Sequence, residues 1–555
     1  MTLTEDVMVP EVHMMHWGIP RVKRTIFGQT KGQTVKYRWK TRPYRHQVDA
    51  VKKLLANGYG GALLMAPRTG KTKVGIDYAS IMHMAGKVNR VIIFCPVSVM
   101  GVWEDQFAMH CPVPYRILVW DKKARKKNKT TGRRRQELPR YGKDVLDVVV
   151  INYDALSTAG APIRDRKTGE IKRHGDDGAI KRSRKRGGKY EMKKQILDWQ
   201  PDLVMLDESH RCKSPSAAKT KMIISIGEQV PYRVIMTGTA VTKKKRIFDI
   251  YAQWKFLNPA RFQGMTLTDF KANFAVMTNR NGYPQWLKNK NTKTLRRLIH
   301  TDAFAITREE CFDLPPRLDP EIIRVPMEES AKVYDDMAKD MIAKIHTGDI
   351  TEASIKLVQG LRLQQITSGI ARTESTPENP KGKLIRIGRE KLRILEDRLI
   401  DFFEAEEKVV LAGRFKADID AMEELCKKLK VPTFVLRGGQ KRLDRDRFIR
   451  EFREVEGAGA FIMQPTAGSL GIDLSTAGTF IWYSLISSYV DYTQSEDRIA
   501  LNPYGTRFIY LLGEDTYDEM LYESLQEDGE VAKHIMAVPE LLMRDNPVYD
   551  EARSF

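Results

Sequence analysis

Short apolar runs alternate with amphipathic stretches from about residue 40 onward, and this alternation is the dominant pattern of the chain. Apolar runs of strand length, separated by segments with helical spacing, predict parallel strands joined by crossover helices. In the first half the predicted strands are residues 62–65, 91–95, 148–151, 203–206 and 234–236. In the second half they are residues 409–411, 434–436, 461–463, 480–483 and 508–512. The pattern therefore predicts an α/β fold with two parallel sheets.

Apolar residues between the strands of the second half recur at helical spacing and predict the buried faces of two helices. They are Leu392, Leu395, Leu399 and Phe402 in one helix, and Ile419, Met422, Leu425 and Leu429 in the next. From about residue 255 to 380 the strand signals fade, and residues 334–345 and 355–366 have helical patterns. We therefore predict helical insertions between two α/β lobes.

These patterns divide the chain into five predicted parts. They are an irregular N-terminal extension (1–40), a first lobe (41–254), a helical insertion and linker region (255–380), a second lobe (381–530) and a C-terminal tail (531–555). The proline-containing segment at residues 376–380 marks the start of the second lobe, because proline and turn-forming residues interrupt regular elements.

A glycine-containing turn follows the first predicted strand, where residues 66–72 read Ala-Pro-Arg-Thr-Gly-Lys-Thr. A turn that opens a helix aims unpaired backbone N–H groups at an anion, and Gly70 lets the backbone come close. Lys71 adds a positive charge and Thr72 a hydroxyl for Mg²⁺. Because Met65 stands where the strict phosphate-loop pattern has glycine, an ordinary strand-to-helix loop is the alternative interpretation.

An acidic pair, Asp207 and Glu208, follows the apolar run at residues 203–206. Asp207 is suited to hold a metal ion through water, and Glu208 to orient or deprotonate an attacking water. Alone, such a pair can simply cap a helix. Together with the turn at residues 66–72, and in this order, it predicts a nucleotide-hydrolysing site.

Length and composition exclude several classes of protein. At 555 residues with 42% apolar content, the chain is long enough for several globular domains. Its five cysteines contain no Cys-x-x-Cys pair, so we predict neither a zinc site nor a disulfide framework. No 18 consecutive apolar residues occur, so we expect no membrane-spanning segment, and we expect no signal peptide and a cytoplasmic location.

The net charge of +22 is concentrated in two stretches, which we interpret as basic insertions in the first lobe. Residues 121–143 contain eleven Lys/Arg against two acids, and residues 162–194 contain thirteen against five. One interpretation is a pair of solvated loops. The other is contact with the phosphate backbone of a nucleic acid, because clustered Lys/Arg releases counterions from a polyanion.

The motifs resemble, in order, those of superfamily 2 helicases, and within them the Snf2-like double-stranded DNA translocases of a compact, stand-alone bacterial or viral type. The Asp207-Glu208-Ser209-His210 sequence and residues 66–72 resemble the two nucleotide motifs of that family. Further similar segments are residues 94–103, 150–156, 237–240, 314–317, 361–366, 466–474, 494–498 and 516–519. The likeness runs from about residue 42 to 528.

The resemblance implies two RecA-like lobes, ATP and Mg²⁺ as cofactors, and DNA, double-stranded or branched, as partner. It implies catalytic roles for Lys71, Asp207, Glu208 and Arg498. It implies nucleotide contacts from Gln47, Arg68, Thr69, Gly70, Lys71, Thr72, Gly471, Asp473 and Gln494, with Thr72 and Asp207 at the metal. It assigns coupling to His210, Thr237, Gly238 and Thr239, and nucleic-acid contacts to Pro96, Ser98, Trp103, Asn152, Tyr153, Lys213 and Thr466. A packed core position for Trp103 and a solvent-exposed one for Lys213 are the alternatives.

Two departures from the family pattern affect the expected chemistry. Leu501 stands where a second arginine normally follows Arg498, so hydrolysis depends on Arg498 alone or on Arg507. An arginine that stabilises the transition state typically contributes a factor of ~10³ to 10⁵ in rate. The glutamine that reads the adenine is displaced, because Arg45 occupies its usual place, and we assign the role to Gln47.

The main hypothesis is an ATP-dependent DNA helicase or translocase that couples hydrolysis to movement on, or remodelling of, duplex DNA. In this hypothesis ATP is held by the first lobe and completed by Arg498 of the second. A second hypothesis is an ATP-gated DNA-binding clamp with little turnover, which Leu501 motivates. A third is an RNA helicase, because DNA is favoured over RNA only through the family resemblance.

Overall fold

In the computed structural model the chain forms two compact units. The first unit consists of Met1–Cys311 and Val531–Phe555, and the second of Phe312–Glu530. The structure describes residues 4–16, 25–120, 126–127, 134–135, 138, 144–156, 191–262, 264–280, 283–311, 317–346, 352–373, 383–440, 442–465 and 472–536. Most of the two predicted basic insertions, and the predicted site residues Thr466 and Gly471, lie outside these ranges.

The strands of the first unit are β1 (Thr4–His16), β2 (Thr25–Arg38), β3 (Gly60–Met65), β4 (Arg90–Cys95), β5 (Tyr115–Val119), β6 (Lys126–Lys127), β7 (Arg134–Arg135), β8 (Leu146–Asn152), β9 (Leu203–Asp207), β10 (Tyr232–Met236), β11 (Ala275–Arg280), β12 (Tyr283–Asn289) and β13 (Ala303–Ile306). Its helices are α1 (Arg45–Ala56), α2 (Lys71–Met84), α3 (Met100–His110), α4 (Glu191–Asp198), α5 (Ala218–Gly227), α6 (Asp249–Leu257), α7 (Leu267–Phe274) and α8 (Thr292–Asp302).

The main sheet of the first unit is parallel throughout, with the strand order β13-β3-β10-β9-β4-β8-β5. Its central strands are continuous apolar runs because both faces of the sheet are covered. Side chains such as Leu64 and Leu206 pack into the core on one face, and their neighbours Leu63 and Met205 into the core on the other. The five strands predicted in the first half are all confirmed.

The second unit also contains a parallel sheet, with the order β14-β21-β20-β17-β19-β18. Its strands are β14 (Glu321–Val325), β15 (Ile370–Arg372), β16 (Leu384–Arg386), β17 (Lys408–Ala412), β18 (Thr433–Leu436), β19 (Gly459–Met463), β20 (Thr479–Trp482) and β21 (Arg507–Gly513). Its helices are α9 (Ala331–His346), α10 (Glu352–Thr367), α11 (Glu390–Glu404), α12 (Lys416–Lys428), α13 (Arg442–Glu454), α14 (Tyr489–Glu496) and α15 (Tyr517–Met536). The prediction of two parallel α/β sheets is confirmed.

The division between the units differs from the predicted boundary near residues 376–380, a segment that lies outside the described residues. Strand β13 belongs to the first sheet and β14 to the second, although both fall in the region predicted to be helical. Strand β13 has only four residues and directly follows α8, so its apolar residues continue a helical pattern. Strand β14 is an edge strand with exposed and partly buried positions in alternation, so it lacks the apolar run of a central strand.

The N-terminal segment is a regular hairpin where an irregular extension was predicted. Strands β1 and β2 pair antiparallel from Thr4 opposite Arg38 to His16 opposite Thr25. Val7 and Val9 lie on either side of the exposed Met8, as one buried face of a two-stranded sheet requires, and both are buried in the core of the first unit. The alternation is visible in the sequence, but it covers few residues.

Among the residues that the structure describes, no helix combines the length and apolar character that crossing a membrane requires.

Candidate functional site

Five loops that carry predicted site residues lie at one edge of the first sheet. They follow β3, β10, β9, β4 and β8, which are five adjacent strands of a parallel sheet. Their carboxyl ends therefore meet at the same edge, which is where open α/β sheets bind ligands. The turn at residues 66–72, which we call the phosphate turn, lies at this edge. The acidic pair and most residues predicted to contact nucleic acid lie there too.

The turn between β3 and α2 has the backbone conformation of an anion-binding loop. Gly70 is the N-cap of α2 with φ 88°, and Arg68 also has a positive φ of 67°. Thr69 donates its hydroxyl to Ala66 O at 2.7 Å, which closes the turn. Lys71 Nζ donates to Met65 O at 2.9 Å and to Ala66 O at 3.0 Å. The first N–H groups of α2 have no acceptors within the helix, so they can bind an anion.

Gln47 is buried against the phosphate turn. Its Nε2 donates to Thr69 O at 3.2 Å, and its Oε1 accepts from Tyr44 N at 3.1 Å. His46 Nε2 donates to the same Thr69 carbonyl at 2.8 Å. A Cβ on Gly70 would lie 2.2 Å from Gln47 Nε2, so the start of α1 rests directly on the turn. The structure thus places the predicted nucleotide-contacting glutamine beside residues 68–72.

Asp207 accepts hydrogen bonds from Trp103 of α3, the helix after β4, and from Tyr153, which directly follows β8. Trp103 Nε1 donates to Asp207 Oδ2 at 3.2 Å, and the Tyr153 hydroxyl donates to the Asp207 backbone carbonyl at 2.7 Å. Burial and the adjacent Glu208 raise the pKa of Asp207 to about 7. Both Trp103 and Tyr153 are about 2% exposed or less, so these side chains lie beneath the surface and not on it.

Glu208 has a left-handed backbone conformation with φ 53°, which turns the chain sharply after β9. Its carboxylate lies 3.3 Å from His210 Nδ1. Burial acts to raise the pKa of Glu208, but the hydrogen bond with His210 and the positive charges of Lys71 and Arg211 outweigh it and hold that pKa below its ordinary value. A carboxylate that stays ionised can orient water and accept its proton.

The turn after β10 joins the acidic pair to the phosphate turn. His210 Nδ1 lies 3.2 Å from Thr237 Oγ1, which also accepts from Thr239 N at 3.0 Å. A Cβ on Gly238 would lie 2.9 Å from Pro67 Cδ, so the backbone of this turn packs closely on the phosphate turn. The structure therefore brings the four predicted coupling residues between the two nucleotide motifs.

The residues predicted to contact nucleic acid share a cavity of about 150 Å³ on the same edge. Pro96, Ser98, Asn152 and Tyr153 line it, together with Arg211, which sequence reasoning did not single out. Asn152 Oδ1 is buried and accepts no hydrogen bond from the described residues. Polar groups of both signs thus surround a space that is open to a ligand.

Lys213 lies apart from this cavity. Its Nζ donates to Thr242 Oγ1 at 2.9 Å, and Thr242 donates to the buried carboxylate of Asp249 at 2.7 Å. The position of Lys213 is therefore determined by the segment that follows β10, where it is partly exposed.

The described candidate residues of the second unit lie in two segments, one around Asp473 and one that includes α14 and the residues after it. Asp473 accepts from Ser475 N at 3.1 Å and from Arg453 Nη2 at 3.4 Å. Gln494 lies on α14, and Arg498 follows the helix with a buried side chain. Arg507, the alternative to Arg498, starts β21 at the amino edge of the sheet, with its guanidinium 5.5 Å from the centre of the Phe402 ring. That edge is opposite the carboxyl ends of the strands.

Glu496, between Gln494 and Arg498, is a residue that sequence reasoning missed. It is 4% exposed and its Oε1 accepts from Trp482 Nε1 at 3.1 Å and from the Tyr510 hydroxyl at 2.5 Å. Arg317 Nη2 donates to its other oxygen at 2.8 Å. The signal in the sequence was an acidic residue on a helix rich in apolar and aromatic neighbours.

The fold and the arrangement of these motifs define a helicase-type protein with two α/β units. Residues 46–373 match the model of the SNF2-related domain, and residues 390–500 match that of the helicase conserved C-terminal domain. Because the first match covers more than half of the chain, the protein belongs to the SNF2-related family of superfamily 2 helicases.

Curated relatives have low identity and are longer than this chain. An uncharacterized ATP-dependent helicase, MG018, of Mycoplasma genitalium is 22% identical over 60% of this chain and 30% of its own length. The ATP-dependent DNA helicase DDM1 of Arabidopsis thaliana is 22% identical over 79% of this chain and 54% of its own. The DNA repair and recombination protein RDH54 of Saccharomyces cerevisiae is 20% identical over 74% and 42%. The chain thus spans about half or less of these relatives.

Among solved structures, the Sulfolobus solfataricus SWI2/SNF2 ATPase core in complex with dsDNA is similar, with 17% identity and a TM-score of 0.38. The match covers 93% of this chain and 97% of that one.

Proposed function

We propose that the protein is a DNA-dependent ATPase that couples ATP hydrolysis to movement on, or remodelling of, duplex DNA. One observation carries the proposal: the phosphate turn and the acidic pair lie at one sheet edge, on strands β3 and β9 that both pair with β10. The turn after β10 contacts both motifs, through Gly238 against Pro67 and Thr237 beside His210. Two motifs arranged in this way can bind one triphosphate together, so we interpret them as one site and not as two unrelated loops.

In the proposed mechanism, the phosphates lie on the first turn of α2, where the N–H groups of Gly70, Lys71 and Thr72 point. The Lys71 ammonium exchanges its contacts with the two loop carbonyls for phosphate oxygens, which bear more negative charge. Gln47, which lies against the turn, is the proposed contact to the base. Arg68 holds the shape of the loop through its backbone conformation, and Thr69 through its hydroxyl, which donates to Ala66 O.

The residues at this edge fit Mg²⁺. The ion commonly binds through one or two carboxylates, with water and substrate phosphates as its other ligands. Asp207 offers one partly exposed carboxylate and Thr72 belongs to a partly exposed turn, and within the described ranges no cluster of three or more acidic, histidine or cysteine ligands occurs. We assign the ion to these two residues, where it would neutralise charge that develops on the phosphates.

Glu208 is the proposed general base. Its lowered pKa keeps it ionised near neutral pH, and His210 fixes one carboxylate oxygen. Because His210 also lies beside Thr237, a shift of the turn after β10 would change the position of the base. That contact is the proposed route between the nucleotide and the nucleic acid.

The proposed DNA contacts are Pro96, Ser98 and Asn152 at the 150 Å³ cavity, together with Lys213 and Thr466 and with further backbone contacts from the two basic insertions. Trp103 and Tyr153 are buried, so we propose that they position Asp207. Contacts to the phosphate backbone predict binding that depends weakly on sequence and strongly on salt. The names of DDM1 and RDH54, which mention DNA, support DNA as the partner.

The second unit supplies the remaining proposed roles. Arg498 is the proposed transition-state arginine, and Gln494, Asp473 and Gly471 are proposed to contact the nucleotide. Arg507 is a poor substitute for Arg498, because it lies at the amino edge of its sheet and packs on Phe402. We therefore propose that Arg498 acts without a second arginine.

ATP hydrolysis by the purified full chain, measured at low salt with single-stranded, duplex, forked and four-way DNA and with duplex RNA, tests the proposal. We expect stimulation by duplex or branched DNA, dependence on Mg²⁺, and loss of turnover by a factor of ~10² or more in Glu208→Gln. Lys71→Ala should also lose turnover, whereas the exposed control Lys52→Ala should not.

Absence of any stimulation by DNA would overturn the proposal. Tight, ATP-dependent DNA binding without turnover would instead indicate an ATP-gated clamp. Stimulation by duplex RNA and not by DNA would indicate an RNA helicase.

A further inference from the structure

A third basic stretch, separate from the two predicted insertions, lies between Asp269 and Asp302. The 32 residues from 270 to 301 contain seven Lys/Arg and no Asp or Glu. Shortly before it, residues 243–246 read Lys-Lys-Lys-Arg. An acid-free stretch of this length is unusual for a solvated face, which normally mixes charges of both signs.

The structure brings the two basic segments together. Residues 275–289 form the antiparallel hairpin of β11 and β12, and Lys290 N donates to Phe274 O at 2.9 Å to close its base. Asn289 Nδ2 donates to Lys244 O at 3.1 Å, which fixes the base of the hairpin beside residues 243–246. Cations that are some 40 positions apart in the chain therefore share one side of the first unit.

Four lysines of these segments are exposed: Lys243, Lys288, Lys290 and Lys293. We call them the lysine surface. In the part of the chain that the structure describes, none of the four forms an ion pair or a side-chain hydrogen bond. Arg246, by contrast, is paired with Asp249, Nε to Oδ1 at 3.2 Å. The lysine surface thus carries four positive charges without a partner in the described residues.

The lysine surface continues from a residue that already has a proposed nucleic-acid role. Lys213 Nζ donates to Thr242 Oγ1 at 2.9 Å, and Thr242 directly precedes Lys243. Lys213 follows the carboxyl end of β9, and Lys243 follows that of β10. Both lysines therefore lie on the edge of the sheet that carries the other proposed contacts. A polyanion that touches Lys213 would meet Lys243 next.

We propose that the lysine surface binds the phosphate backbone of duplex DNA, extending the contact beyond Lys213 on to the β11–β12 hairpin. This inference rests on the proposed function. Duplex DNA carries one negative charge per ~1.7 Å of axis, so it can neutralise several lysines at once. Lysine ammonium groups act as point charges, so the contact adds affinity without sequence preference.

The test compares two charge-matched variants of the full chain. One carries Lys→Gln at the four positions of the lysine surface. The control carries Lys→Gln at four exposed lysines on other elements, namely Lys52, Lys221, Lys332 and Lys430. Affinity for a fluorescent duplex of about 40 base pairs is measured by anisotropy at several salt concentrations without nucleotide, because each phosphate contact contributes ~0.9 to the salt slope.

We expect the lysine-surface variant to bind at least ~10-fold more weakly at low salt, with a log–log salt slope lower by about 2 to 4. The control should keep both values close to those of the wild type. At saturating DNA the lysine-surface variant should hydrolyse ATP at the wild-type rate, while the DNA concentration for half-maximal stimulation rises.

Equal affinities and salt slopes in the two variants would overturn the inference. If the wild type still binds DNA and hydrolyses ATP in that case, the proposed function stands and only the lysine surface is refuted. A wild type that neither binds DNA nor responds to it would refute the proposed function itself. A loss confined to duplex RNA would also overturn the assignment to DNA.

Discussion

Trp103→Phe tests whether the indole positions Asp207 or contacts nucleic acid. The substitution keeps an aromatic ring in the core but removes the Nε1–H that donates to Asp207 Oδ2 at 3.2 Å. A hydrogen bond to a charged acceptor contributes roughly 1.5–3 kcal/mol. We propose that Asp207 holds the metal ion, so losing this hydrogen bond should raise the free energy of the transition state by the same amount. The value of kcat should then fall by a factor of roughly 10 to 150.

The assay is DNA-stimulated ATP hydrolysis at saturating DNA, with DNA affinity measured separately without nucleotide. Phe107→Leu is the matched control, because Phe107 is fully buried with its ring 6.2 Å from that of Trp103, and no bond of its side chain reaches Asp207. Both variants should lower the melting temperature. Only Trp103→Phe should lower kcat, and DNA affinity should change little, since Trp103 is 1% exposed.

Equal kcat values in the two variants would refute the positioning role. A drop in DNA affinity with kcat unchanged would instead support the nucleic-acid contact that the family resemblance implies for Trp103.

Three further predictions concern folding and the phosphate turn. Tyr37→Phe removes the hydroxyl that donates to the fully buried Asp77 at 2.7 Å, so the melting temperature should drop by the equivalent of about 1–3 kcal/mol, and an unchanged value would contradict this. Burial raises the pKa of Asp418 to about 6 from 3.8, so its proton stabilises the fold at low pH and this contribution disappears as the pH rises through 6. The unfolding free energy of the wild type minus that of Asp418→Asn, measured by urea titration, should therefore fall by about 3 kcal/mol between roughly pH 4 and 7. A difference that stays constant with pH would refute the reasoning. Gly70→Ala forces a side chain into φ 88° and against Gln47 Nε2, so it should cost about 1–2 kcal/mol of stability and raise the KM for ATP, and wild-type values for both would contradict this.

The strands that bear the site could be predicted because each contains a continuous apolar run that is followed within three residues by a polar residue. Burial on both faces of a parallel sheet demands such runs, so β3 and β9, with the motifs that follow them, were visible in the sequence. Strands β13 and β14 were not predicted because both are short strands at the edge of a sheet. An edge strand can be short or only partly buried, so it does not require a long apolar run in the sequence. The boundary between the units was misplaced for the same reason.

Side-chain direction was harder to predict than strand position. The likeness to a family identifies Trp103 and Tyr153 as part of a nucleic-acid segment, yet both are buried and bond to Asp207. Which side of a helix or loop faces the core depends on contacts with residues that are distant in the sequence. The direction of a side chain therefore cannot be predicted from its position in a motif alone. The arrangement of the β11–β12 hairpin beside residues 243–246 was hidden for the same reason, since a single amide-to-carbonyl contact fixes it.

The N-terminal hairpin affects how the protein can be divided for experiments. The family match begins at residue 46, eight positions after β2 ends at Arg38. Nevertheless Tyr37 is completely enclosed, and it shares Asp77 of α2 with the ammonium of Lys73, 2.7 Å from the carboxylate. A shortened chain that begins at residue 46 would open this ion pair to solvent beside the helix that begins at Lys71. The segment needed for a closed core is therefore longer than the segment that the family model matches.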